Sequence, residues 1–174
     1  MMNALTVDLE DWYHICGTTN NTAPSKWIDY ESRVTRNTDK ALSILRQYST
    51  RATFFVLGYI AEKEPELIKT IHREGHELAI HGYYHQRLFE LSREAFEEDV
   101  KKSIDIIRAI TGEMVLGYRA PEWSIRSNTL WALDVLKKLG IMYDSSMVPL
   151  TRMGERNFGL YPHIIKTEFG NIWE

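Results

Sequence analysis

The chain has a single cysteine, Cys16, among its 174 residues, so no disulfide can close within it. A lone thiol with no evident base beside it reads as structural or incidental. No run approaches the roughly 18 apolar residues a membrane-spanning helix needs, which excludes insertion by that route. A basic segment followed by an apolar one is missing from the N-terminus, so no signal peptide is visible and the expected location is the cytoplasm. Excess positive charge is also lacking. Lys and Arg number 21 against 24 Asp and Glu, a net charge of −3, with no basic block. That leaves no electrostatic footprint for nucleic acid or an anionic membrane surface. Neither internal repeats nor low-complexity segments occur. Function must come from a local site, and oligomeric state is not readable.

What is present is an alternation of short apolar strands with amphipathic helices in one domain-sized chain. Residues 4–7 are β-prone and run into the acidic cluster Asp8, Glu10 and Asp11. Asn37 and Thr38 are helix caps for the helical spacing of Ala41, Leu42, Ile44, Leu45 and Tyr48. Residues 52–57 are continuously apolar, as in a strand covered on both faces. Pro65 opens a second helix that stops at Gly75. Residues 77–80 form a strand ending at His81, and Ser92 caps a longer helix that stops at Gly112. Residues 114–118 read as a strand. Ser127 or Asn128 caps a helix ending at Gly140, and residues 141–143 form a short strand. Residues 18–27 and 147–160 read as turn-rich and irregular, and two last strands are expected at 164–167 and 172–174.

Crossovers of this length predict an α/β fold with parallel strands. Asp8, His81, Arg119 and Asp144 then all fall at the carboxyl ends of strands, the edge where α/β folds bind ligands. His81 and His85 have the H-x-x-x-H spacing that can present two imidazoles to one metal ion. Taken alone the spacing is weak, but three carboxylates within four residues repel one another unless a cation sits among them. Two imidazoles and a carboxylate with a position left for water form a catalytic metal arrangement. Arg119 at a strand end, followed by Pro121, Glu122 and Trp123, suits a carboxylate partner beside an apolar wall. Tyr143, Asp144, Ser145 and Ser146 bring a carboxylate and two hydroxyls to the same edge, although simple turn capping explains that motif equally well.

These motifs together resemble the NodB-type polysaccharide deacetylases, the family 4 carbohydrate esterases. T-V-D-L-E-D from Thr6 to Asp11 is similar to their first motif, and H-G-Y-Y-H from His81 to His85 to their second. R-A-P-E-W from Arg119 to Trp123 and Y-D-S-S from Tyr143 to Ser146 are similar to the third and fourth. The wording is nearest an exopolysaccharide-associated branch that shares features with peptidoglycan deacetylases. The resemblance implies a distorted (β/α) barrel, with residues 1–174 one catalytic domain that is incomplete at its C-terminus. It implies hydrolysis of N-acetyl or related acyl groups from a polysaccharide by a divalent metal, zinc by preference. Asp8 would be the base, Arg119 would orient it, and His81 and His85 would be metal ligands. Pro121, Glu122, Trp123 and Asp144 would face the acetylated polysaccharide or oligosaccharide substrate.

Two departures matter. Leu9 follows Asp8 where the family has adjacent aspartates, so the carboxylate ligand is Asp11, slightly preferred, or Glu10. No Leu-x-His follows Asp144, which leaves the family's general acid unfilled; His14 and His163 are weak substitutes. An oxyanion would draw on a backbone N–H after Pro121. The rival readings are a small-amide hydrolase of allantoinase-like type and a non-catalytic carbohydrate-binding module on the same scaffold.

Overall fold

The computed structural model describes residues 3–16, 23–150 and 153–174. Seven strands form one sheet: β1 (Thr6–Leu9), β2 (Thr53–Val56), β3 (Glu77–Ile80), β4 (Gly117–Tyr118), β5 (Tyr143–Asp144), β6 (Ile164–Thr167) and β7 (Gly170–Trp173). Their order is β1-β2-β3-β4-β5-β7-β6. The first five are parallel, β7 runs parallel to β5, and β6 pairs antiparallel with β7. The parallel α/β expectation therefore holds from β1 to β5 and in the pairing of β7. Among the described residues the sheet is an open run from β1 to β6. The exception to parallel order has a simple cause: only two residues separate β6 from β7, and a link that short permits only an antiparallel hairpin.

Five helices, α1 (Val34–Gln47), α2 (Gly58–Lys63), α3 (Pro65–Arg73), α4 (Arg93–Thr111) and α5 (Trp131–Lys138), connect the strands. The fully buried Phe54, Phe55, Val56 and Leu57 make β2 and its end the centre of the core, which is why that stretch reads as unbroken apolar sequence. On α4, Phe96, Val100 and Ile107 recur on one face and are buried. Ser92 caps this helix by accepting the Ala95 N–H at 3.2 Å, and Gly112 ends it in the left-handed conformation.

Several boundaries differ from expectation. Helix α1 starts at Val34, ahead of the local caps Asn37 and Thr38. Helix α2 was not anticipated, because six residues give too few turns for a periodic signal. Strands β4 and β5 keep two residues each. Of the expected loop at 18–27, residues 18–22 lie outside the described residues, as do 151–152 of the 147–160 stretch. Pro24–Asp29 forms a 3-10 helix whose Trp27 is buried against Tyr13, His14 and Tyr59. None of the described helices is long and apolar enough to cross a membrane.

Candidate metal and catalytic site

The parallel register sets the site. Asp8 on β1 lies opposite Phe55 on β2, and the ends of β3, β4 and β5 follow across the same edge. Arg119, one residue past β4, donates from Nη1 to Asp8 Oδ1 at 2.7 Å and to Thr6 Oγ1 at 3.1 Å. Its Nε donates to the Ser145 carbonyl at 3.1 Å and its Nη2 to Ser145 Oγ at 2.9 Å. The guanidinium also lies 4.0 Å over the Phe55 ring. An arginine held on both edges and one face has a fixed direction, so Asp8 is fixed in turn. The other oxygen of Asp8, Oδ2, is 3.9 Å from His81 Nε2.

Glu10, His81 and His85 each bring one ligand atom to a cluster in which all lie within 4.8 Å of one another. His81 Nδ1–H donates to the Arg119 carbonyl at 2.8 Å, leaving Nε2 with its lone pair toward the cluster. Burial lowers the His81 pKa to about 4, so the ring is neutral at ordinary pH, the form a metal takes. His85 Nδ1 lies 3.3 Å from Cys16 Sγ, whose thiol donates to the His85 carbonyl at 2.9 Å. Burial, with Glu122 nearby, pushes that thiol up to about 12, so it stays protonated. A cation suits this set. Among the described residues Glu10 Oε2 is buried with no hydrogen-bond partner, although His85 Nε2 stands 2.9 Å away. A shared ion satisfies both atoms where no hydrogen bond does.

Asp11 is not in the cluster. Its Oδ2 accepts from Ser32 Oγ at 3.0 Å, Arg33 N at 2.6 Å and Val34 N at 3.0 Å, so it caps the N-terminus of α1. The slight preference for Asp11 over Glu10 as ligand is thereby reversed: one carboxylate is consumed by a helix that starts earlier than its local sequence suggests. Nor do His81 and His85 meet on a helix. A turn brings them together, with Gly82 at φ +74° and His85 at φ +53°.

Asp144, expected against substrate, is buried, and its Oδ1 accepts from Ser146 Oγ at 2.5 Å. Ser146 Oγ in turn accepts the Ala120 N–H at 2.7 Å. This is the capping role of the Y-D-S-S segment, and it locks the Arg119 loop to β5. Glu122 is paired with Arg87 at 2.7 Å, Pro121 is buried, and Trp123 lies 6.0 Å from the Arg119 guanidinium. Glu122 and Trp123 both adopt left-handed backbone angles, a tight turn that keeps this wall beside Arg119. The N–H groups of Trp123 and Ser124 are taken by the Ala120 and Pro121 carbonyls, so neither is available to an oxyanion in this geometry.

The two substitute acids fare poorly. His163 bonds to the Tyr161 carbonyl at the start of β6. His14 is buried, its Nδ1 accepts the Asp11 N–H at 2.8 Å, and burial lowers its pKa to about 3. It is a neutral ring with its one proton on Nε2, and it has no imidazolium proton to give at neutral pH.

Three contacts escaped the sequence reading, although Ser145 itself was placed at this edge: Cys16 with His85, Ser145 with Arg119, and Glu174, which accepts the Met147 N–H at 2.7 Å beside Asp144. The contact partners lie 69, 26 and 27 residues apart, and nothing local marks them.

With the Asp8–Arg119 pair at the strand edge and the Glu-His-His cluster in place, comparison with known proteins decides the family. A model described as polysaccharide deacetylase matches residues 19–143. The chain belongs to the polysaccharide deacetylase family. The matched span contains His81, His85 and Arg119; Asp8 and Glu10 precede it. A peptidoglycan deacetylase of Helicobacter pylori is 32% identical over 109 residues, covering 63% of this chain and 36% of that protein. A peptidoglycan-N-acetylglucosamine deacetylase of Bacillus cereus is 35% identical over 98 residues, covering 56% and 36%. The chain thus spans about a third of the length of these curated relatives. A Mycobacterium smegmatis crystal structure, of a presumed polysaccharide deacetylase, superposes with TM-score 0.78 and 26% identity over 98% of this chain and 56% of that one. The fold is that of the family.

Proposed function

We propose that this deacetylase-family chain removes N-acetyl groups from a polysaccharide as a metal-dependent amide hydrolase. The observation that carries the reading is the placement of Asp8, held by Arg119, 3.9 Å from an imidazole of the Glu10, His81 and His85 cluster. Glu10, His81 and His85 would hold the ion, and zinc suits two imidazoles and a carboxylate. When bound, such an ion supplies Lewis acidity that makes water nucleophilic at neutral pH and offsets charge on the acyl oxygen.

The chain's own residues do the rest. Asp8 Oδ2 takes the proton of the attacking water, because Oδ1 is occupied by Arg119. Arg119 keeps that oxygen aimed, and Trp123 bounds the acyl side. The relatives are named for deacetylation of peptidoglycan and of chitooligosaccharide, so acetylated amino sugars are the substrate class. The test is release of acetate from N-acetylated chitooligosaccharides and peptidoglycan fragments, with and without added zinc, beside Asp8→Asn. Zinc-dependent release that Asp8→Asn abolishes supports the reading. Release without any divalent ion, or undiminished in Asp8→Asn, overturns it.

A further inference from the structure

The two histidines of the cluster are joined by Gly82, Tyr83 and Tyr84, and this three-residue turn is strained. His85 lies at φ +53°, a left-handed conformation that is unfavourable for a residue with a side chain. Such a backbone persists only where its surroundings over-determine it. On its carbonyl side the turn is held by the start of α2: Gly58 N donates to the Gly82 carbonyl at 2.9 Å, and Tyr59 N to the Tyr83 carbonyl at 3.2 Å. On its amide side the holding group is one carboxylate from another element. Asp99 on α4 accepts the Tyr83 N–H at 2.7 Å, and the neighbouring Tyr84 amide also favours its negative charge. A side chain at position 82 would bring its Cβ within 3.2 Å of Asp99 Oδ2, so Gly82 serves the close approach as well as the positive φ. Lys102 adds a cation 3.5 Å over the Tyr83 ring, and the Tyr83 hydroxyl donates to Glu62 at 2.7 Å.

We propose that Asp99 is a positioning residue for the metal: by gathering the amides of Tyr83 and Tyr84 it fixes the spacing and direction of His81 and His85. The inference rests on the metal reading above. It is an outer support acting through the backbone between two ligands instead of through a ligand's own ring nitrogen. A carboxylate suits the task because charge-assisted bonds to N–H groups are about twice as strong as neutral ones. The amide of Asp99→Asn keeps an oxygen in place but loses the charge.

The test is zinc and cobalt affinity of the full chain, measured by competition with a chromophoric chelator at a temperature where circular dichroism shows every metal-free variant folded. The absorption spectrum of the cobalt form reports ligand geometry alongside. Loss of a metal-site support costs about 10–100-fold in metal affinity. Asp99→Asn is expected near the low end and Asp99→Ala near the high end, both with a shifted cobalt spectrum. Lys102→Met removes the neighbouring cation without touching the amides, and wild-type affinity is expected. If Asp99→Ala does not fold, Asp99→Asn decides alone. Wild-type affinity and spectrum in Asp99→Asn overturn the inference, as does an equal loss in Lys102→Met. If the wild type binds neither metal, the metal reading falls and the inference with it.

Discussion

Glu10 Oε2 and His85 Nε2 stand 2.9 Å apart, and Glu10 Oε2 has no hydrogen-bond partner among the described residues. Asp11, the next residue, points the other way and caps α1 through three donors. Adjacent carboxylates thus divide into one available to a cation and one committed to the backbone. Glu10→Gln is expected to lose bound metal while melting normally in the metal-free state. Asp11→Asn is expected to keep metal but lose roughly 1–3 kcal/mol of stability, the cost of weakening a buried cap. Elemental analysis and urea denaturation of both variants check this, and the reverse pattern would restore Asp11 as the ligand.

Arg119 orients Asp8 with one arm and grips Ser145 with the other. Arg119→Lys supplies charge but cannot reach Thr6, Asp8 and both Ser145 acceptors from a fixed plane. Turnover is expected to fall at least tenfold with metal content unchanged. Asp8→Asn is expected to lose about 10²–10⁴-fold, the usual share of a general base. Steady-state kinetics beside metal analysis separate these losses from loss of the ion.

Acid should destabilise the metal-free protein through its buried histidines. Burial lowers His14 to about 3 and His81 to about 4, against an ordinary 6.5. A depressed histidine pKa means that the unfolded state binds the proton first. Stability is therefore whole above about pH 6.5 and drains away as pH falls toward 4 and then 3. In His14→Asn the side-chain oxygen can take over the Asp11 N–H, and nothing titrates. Its urea midpoint is expected to change less between pH 7 and pH 4 than that of the wild type. Parallel curves for the two proteins would show that His14 does not contribute.

Much of the fold was readable because its signals are local. The apolar run at 52–57, the Ser92 cap and the Gly112 stop need only their neighbours, and they located β2 and α4 closely. The start of α1 was not readable because Asp11, its cap, lies 22 residues before Arg33. For the same reason the sequence leaned to Asp11 over Glu10: what removes Asp11 from the cluster is a helix end elsewhere in the chain. The histidine pair was legible as a spacing, but its geometry comes from Gly82 and a left-handed His85, not from a helical turn. Asp144 was misplaced for a different reason. Standing at a strand end makes a polar residue available to the site only if its neighbours leave it open, and Ser146 closes over this one.

Alkali should act through the opposite kind of group. Asp144 Oδ2 and Glu174 Oε2 are both buried with no hydrogen-bond donor among the described residues, and the two side chains meet. Burial first, then the charge of Asp144, raises Glu174 to about 10, and burial raises Asp144 as well. One proton held between them satisfies both oxygens. Because the folded pKa is raised above the ordinary 4.5, the folded state holds this proton more tightly than the unfolded one. The associated stability is complete below about pH 4.5 and is lost progressively as pH rises toward 10. Glu174→Gln is neutral at every pH and can donate an amide hydrogen to Asp144. Its stability is expected to stay flatter than the wild type's between pH 6 and pH 9, as read by urea midpoints. An infrared carboxylic-acid band present in the wild type and missing from Glu174→Gln would identify the proton directly. Equal slopes and no such band would mean that no proton is held between the two carboxylates.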